Sequence, residues 1–94
     1  MYRAEIIANQ SVQDDLIELL EETLPDVLYT ITPSVMGRGS KDRKLGSTTW
    51  PEMNFLLFAY IDNKDVKLVK AVVQTVKNKF PDEGIKVFFV KSEE

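Results

Sequence analysis

The residues from Tyr2 to Ala8 alternate, with Tyr2, Ala4, Ile6 and Ala8 on one side, and this period of two predicts a strand. After Ser11 the period changes. Val12, Leu16, Leu19, Leu20 and Thr23 or Leu24 fall on one stripe with Asp15, Glu18, Glu21 and Glu22 opposite, which predicts an amphipathic helix stopped by Pro25. Ser11 stands where a cap belongs, its hydroxyl able to accept from an orphan backbone N–H, and Asp14 follows where the helix dipole favours an acid. Val27 to Thr32 is rich in β-branched and aromatic residues and predicts a second strand running on toward Met36. Pro33 cannot donate to a ladder, so an edge position or a bulge is expected there. Met53 to Ile61 predicts a third strand. Asp62 or Asn63 is placed to cap a second helix, in which Val66, Val69, Val72, Val73, Val76 and Phe80 keep a helical spacing while Lys64, Lys67, Lys70, Lys77 and Lys79 face water. Pro81 to Gly84 reads as a stop and turn, and Ile85 to Val90 as the last strand.

Strand, helix, strand, strand, helix, strand is the order of a split β-α-β unit. The chain is therefore expected to be α+β with a ferredoxin-like βαββαβ fold. That means a four-stranded antiparallel sheet with both helices on one face and a long loop between strands two and three, in a single domain over residues 1–94. A sheet covered on one face should alternate apolar and polar along each strand. The third strand does not. Phe55, Leu57, Ala59 and Ile61 would face the helices, which turns Leu56, Phe58 and Tyr60 the other way, and Phe88 and Val90 repeat the pattern beside Val87 and Phe89. Covering an exposed Leu or Phe contributes about 1.5–3 kcal/mol per side chain, so such a face requires a cover. Copies packed sheet to sheet about a common axis are the simplest one, with Leu56, Phe58, Tyr60, Phe88 and Val90 as the oligomer interface. The alternative is that the chain's own long loop folds over the face.

That loop, Pro33 to Glu52, is far longer than the roughly 2–5 residues a hairpin needs. Gly37 and Gly39 bracket Arg38, and Lys41, Arg43 and Lys44 follow before Gly46, opposed only by Asp42. Glycine backbone can approach an anion closely and the cations can neutralise phosphate or carboxylate, which makes Gly37, Arg38, Gly39, Lys41, Arg43 and Lys44 candidate ligand-binding residues. A solvated loop whose charges hold it off the protein has the same spacing, and both readings stand. The Gly-Arg-Gly run lacks the Gly-Lys-Ser/Thr ending of a Walker loop and does not open a helix as a dinucleotide fingerprint does. Trp50 fits a packing anchor or, with Glu52, a partner contact, since Trp and Arg dominate interface hot spots.

Composition narrows the chemistry. The chain has neither Cys nor His, so disulfides, thiolate or imidazole metal ligands and the commonest general base are excluded; no catalytic or metal-binding residue is assigned and no enzyme activity is expected. A net charge of -3 argues against a nucleic-acid partner, which would require a basic face. No apolar run approaches the roughly 20 residues of a membrane span, and the strand-like start is unlike a signal peptide, so a cytoplasmic location is expected.

Val35-Met-Gly-Arg-Gly39, the basic continuation to Gly46, and Met53-Asn-Phe-Leu-Leu57 resemble the T-loop and following strand of the PII-like signalling proteins, whose best-known members are the nitrogen-regulatory PII proteins. In its order of elements the resemblance spans nearly the whole chain. It implies a homotrimer with sheets around a three-fold axis and a small effector, commonly an adenine nucleotide or another anion, in the cleft between subunits. It also implies a T-loop, residues 33–52, that changes conformation to engage a protein partner such as a transporter or enzyme. An effector acts in this way only by favouring one loop state over another. On the resemblance, Gly37 matches the position whose backbone lies beside the nucleotide, and Arg38 to Gly46 the recognition segment. The chain departs from the family pattern in three places. The Gly- and Lys-rich segment before the last strand is reduced to Phe80-Pro-Asp-Glu-Gly-Ile-Lys86, where Gly84 and Lys86 remain as candidate ligand contacts and Asp82 and Glu83 would repel phosphate. The family's C-terminal arginines have no counterpart in Lys91-Ser-Glu-Glu94, and its modified loop tyrosine is absent. A divergent member with another ligand, or none, is expected, and the sequence specifies no cofactor.

Other classes fit the same elements. A trimer of the CutA kind, associated with divalent-metal tolerance, would have to use Asp and Glu oxygens and so would favour hard cations. A ligand-free module would use the loop for protein docking alone. Glu52 beside Trp50 and Pro51 could be a desolvated acid, or a salt-bridged or capping group.

Overall fold

Alternation makes Tyr2–Asn9 a strand, β1, with Ala4, Ile6 and Ala8 buried on one side and Arg3, Glu5 and Ile7 on the other. The computed structural model describes residues 1–38, 43–44 and 53–94. After β1 come a single 3-10 turn (Gln10–Val12), helix α1 (Gln13–Thr23) and strand β2 (Tyr29–Val35). The short strands β3 (Gly37–Arg38) and β4 (Arg43–Lys44) follow, then β5 (Asn54–Ile61), a second 3-10 turn (Asn63–Asp65), helix α2 (Val66–Lys79) and strand β6 (Ile85–Lys91). The main sheet has the order β2-β5-β1-β6 with every pair antiparallel, which bears out the expected α+β, ferredoxin-like arrangement.

Both halves of the chain use the same devices. Each helix is entered through a 3-10 turn and ended by an apolar residue whose N–H returns to the carbonyl four positions back, Leu24 to Leu20 at 2.8 Å and Phe80 to Val76 at 2.9 Å. Pro25 and Pro81 come next and cannot continue the ladder. The caps differ from expectation. Asn9, rather than Ser11, turns the chain: its Oδ1 accepts from the Ser11 N–H at 2.9 Å, so the bend comes two residues early and α1 begins at Gln13 with Asp14 and Asp15 in its first turn. Neither Asp62 nor Asn63 caps α2 with its side chain; Asn63 Oδ1 accepts from the Met1 amino group at 3.0 Å. A turn closed by the Val27 N–H on the Leu24 carbonyl, at 3.0 Å, holds Val27 and Leu28 out of β2.

The core lies between the sheet and the helices. Leu16 and Leu20 of α1 and Val69, Val72, Val73 and Val76 of α2 are buried against Ala4, Ile6, Ala8, Phe55, Leu57, Ala59, Ile61 and Ile85. These are the positions that the two periodicities select. Lys79 of α2 reaches Asp15 of α1 at 3.2 Å, but both side chains are exposed enough that the pair adds little to stability.

Candidate functional site

The face away from the helices is built by residue parity. In register, Arg3 lies between Tyr60 and Val90, Glu5 between Phe58 and Phe88, and Ile7 between Leu56 and Lys86, with Thr30 beyond Phe58 and Thr32 beyond Leu56. Leu56, Phe58, Tyr60, Phe88 and Val90 therefore share one face. Leu56 and Phe58 are half-buried by their neighbours, whereas Tyr60, Phe88 and Val90 are 52%, 51% and 42% exposed. Phe58 and Tyr60 meet edge to face with ring centroids 6.3 Å apart. Ile7 belongs to the same patch; the sequence reading misses it, although its parity, opposite to Ile6, is the signal. The charges at the centre are missed too. Arg3 Nη2 lies 3.3 Å from Glu5 Oε2, and Arg3 Nε is buried without a hydrogen-bond partner among the described residues. The alternative cover for this face, the chain's own loop, falls largely outside the described residues.

The stems of that loop are fixed to the sheet. β2 is an edge strand and its register on β5 shifts between Thr32 and Val35, so Pro33 has both the edge position and the bulge expected of it. Within the bulge Ser34 takes φ 57°, in the left-handed region. Gln10 Nε2 donates to Ser34 Oγ at 2.9 Å, and the Gln10 N–H donates to the Met53 carbonyl at 3.0 Å. One 3-10 turn thus ties the outgoing and incoming stems together. Ser34→Val places a β-branched side chain in that strained region and is expected to cost about 1–3 kcal/mol, lowering the thermal midpoint by several degrees. Ser34→Gly should be far milder, and equal midpoints for the two variants would remove the strain argument.

Beyond the bulge the long loop contains a paired segment. Gly37 pairs with Lys44 and Arg38 with Arg43 in a two-stranded antiparallel ribbon. Extended runs within hairpin reach satisfy each other's backbone groups, which an unpaired loop would leave to water. The ribbon puts the backbones of Arg38 and Arg43 opposite one another. Gly39, Lys41, Trp50 and Glu52 lie outside the described residues.

Gly84 and Lys86 sit at the start of β6, where the Gly84 carbonyl accepts from the Asn9 N–H at 3.4 Å and Lys86 lies opposite Ile7. Gly37 and Gly84 share one end of the sheet, since Val35 pairs with Asn54 and Asn54 with Asn9. The strands that lead to them, β2 and β6, are opposite edges of the sheet, three inter-strand spacings or about 14 Å apart, and Gly37 lies beyond the end of β2 in the separate β3–β4 ribbon. Within one copy the candidate ligand residues of β3 and β6 are not brought together. A Cβ on either glycine would meet nothing within 4 Å, so the chain itself does not demand glycine there.

Concave surface lies elsewhere. Open clefts of about 390 and 440 Å³ flank Leu28 and Tyr60 at the other end of the sheet, the first under the turn from Leu24 to Leu28 and the second beside Met1, Glu93 and Glu94. Among the described residues, none of the candidate ligand residues lines either one. Near the first, the Tyr29 hydroxyl donates to Glu21 Oε2 at 2.5 Å; this hydrogen bond, with lesser contributions from burial and the carboxylate charge, holds the phenol above its ordinary pKa. Among the described residues no three acidic side chains converge as a metal site requires, and no helix is long and apolar enough to cross a membrane.

No family model and no curated protein matches the chain. Solved structures do. CPII, a nitrogen regulatory PII-like protein from Thiomonas intermedia K12 solved with ADP, AMP and acetate, superposes with a TM-score of 0.68 at 18% identity, over 99% of this chain and 88% of that one. A PII-like signalling protein from Thermus thermophilus superposes with a TM-score of 0.59 at 21% identity, over 95% and 83% of the two chains. A de novo designed protein, Foldit4, reaches 0.61 at 12% identity over 98% of each, so this backbone arrangement by itself implies no activity. What the comparisons establish is that the chain has the fold of the PII-like proteins, in agreement with the likeness carried by Gly37 to Gly46 and Met53 to Leu57.

Proposed function

We propose that the chain is a PII-like regulatory protein, a homotrimer that binds a small anionic effector between subunits and passes its state to a protein partner through the basic loop. The observation that carries this reading is the position of Gly37 and Gly84 at the same end of the sheet but reached from opposite edges. Copies packed in a ring by their open faces set the β2 edge of one beside the β6 edge of the next. Gly37 and Arg38 of one copy then flank the same cleft as Gly84 and Lys86 of its neighbour, and the open space beside both glycines leaves room for a ligand.

The CPII structures contain ADP and AMP with acetate or bicarbonate, which supports an adenine nucleotide, alone or with a small carboxylate or bicarbonate, as the first class to test. Asp82 and Glu83 place negative charge beside Gly84 and favour the less charged members of that class over a triphosphate. A panel of AMP, ADP, ATP, acetate and bicarbonate, singly and paired, should include one combination that raises the thermal midpoint. At about 100 times its Kd a ligand that binds only the folded state adds about 2.7 kcal/mol, a shift of about ten degrees or more. Replacing Arg38, Lys41, Arg43 and Lys44 together by Ala should keep the far-UV spectrum and abolish the shift. If no combination moves the unaltered chain, effector binding fails and only protein docking is left for the loop. A full shift in the quadruple variant would return these cations to a solvated role.

A further inference from the structure

We propose that Arg3 and Glu5 form the polar centre of the surface between copies, with the Arg3 guanidinium of each copy donating to the Glu5 carboxylate of its neighbour. The inference rests on the reading of the open sheet face as that surface, and adds which groups set the alignment of the copies. Both residues lie on β1, an inner strand, so they occupy the middle of the face rather than its rim. Tyr60 and Val90 flank Arg3, and Phe58 and Phe88 flank Glu5. Anything that covers these apolar residues removes water from both charges.

The occupant must therefore bring its own charges of both signs, and a second copy of this face does so. A charge taken out of water is tolerated when another charge and further hydrogen bonds replace the lost hydration. The contact within one copy does not saturate either group. It joins one terminal nitrogen to one oxygen at 3.3 Å and leaves the two side chains 38% and 30% exposed, so part of each charged group is open to a second partner. A guanidinium has five N–H donors in a planar fork and a carboxylate has two acceptor oxygens, so each can serve a second partner at once. The arrangement of charges favours the same occupant. Each copy of this face carries both signs on β1, Arg3 and Glu5, so a second copy offset by two residues sets a guanidinium against a carboxylate.

The test uses the full chain, prepared unaltered, as Arg3→Glu, as Glu5→Arg and as the double exchange, with sedimentation velocity as the readout. Each single exchange should raise the dissociation constant of the assembly at least about tenfold, because like charges then meet across the contact. The double exchange should recover assembly to within roughly threefold of the unaltered chain, as coupled charges do. Co-expression of the two single variants under different tags should enrich mixed assemblies over those of either variant alone, because two of the three contacts in a mixed trimer then join an acid to a guanidinium, whereas every contact between copies of one variant is like-charged. This arm remains decisive if a single variant is insoluble by itself, since rescue requires charges that meet between chains. Single variants that assemble like the unaltered chain, or co-expressed variants that show no mixed species, overturn the ion-pair assignment and leave the homotrimer standing. An unaltered chain that sediments as a monomer at tens of micromolar overturns the homotrimer reading and this inference with it.

Discussion

Leu56→Glu is expected to leave the chain monomeric or insoluble under conditions in which the unaltered chain assembles. Leu56 stands between Ile7 and Thr32 on the open face and is already half-buried by its neighbours. An acid at this position forfeits about 1.5–3 kcal/mol of apolar burial in every copy and would be enclosed without a partner of opposite charge. The loss recurs at each contact of a ring, so the assembly should fall apart rather than weaken slightly. Phe58→Glu should act in the same direction but is a less clean probe, because Phe58 lies directly opposite Glu5 and the new acid would repel it within a single copy. Sedimentation of Leu56→Glu as a well-behaved, native-sized oligomer would contradict association through this face.

Phe55→Ala is expected to have the other large effect, through the fold itself. Phe55 is fully buried on the helix side of β5, opposite Ala8. Truncating such a side chain costs about 3–5 kcal/mol, and a domain has only about 5–15 kcal/mol in total, so the variant should melt well over ten degrees lower or fail to fold. Residues 55 and 56 are neighbours on one strand and point to opposite faces, which makes the pair informative. The loss at Phe55 should be independent of protein concentration, whereas the defect at Leu56 should follow the assembly equilibrium. Concentration-independent losses of equal size at both positions would show that the two faces have been assigned wrongly.

The elements were legible because both periodicities are clear in this chain. Ala4, Ile6 and Ala8 of β1 and Val69, Val72, Val73 and Val76 of α2 are buried as their spacing requires, and Pro25 and Pro81 mark the helix ends. The helix starts were less legible. Asn and Ser both make good caps, and sequence alone could not tell that Asn9 would take the role expected of Ser11. The double-sided character of β5 was plain from Phe55 to Ile61, and the register confirms which residues share the open face. The Arg3–Glu5 contact was not legible, because an Arg and a Glu two apart in a strand read as ordinary solvated polar positions until their flanking strands are known. The candidate ligand residues were legible as residue types and not as a constellation. Their relation depends on strand order, which places the strands leading to Gly37 and Gly84 on opposite edges although the intervening strands bring their ends level.

The kink at Pro33 and Ser34 has a consequence for solubility as well as for the loop. An outermost strand with a continuous row of free amide and carbonyl groups is a template on which further chains can stack indefinitely. Here that row is interrupted by an imino acid with no hydrogen to give and a serine twisted out of the pleat. The interruption blunts lateral growth along this margin, so that the apolar surface of the open face is not joined by an edge on which strands could add without limit.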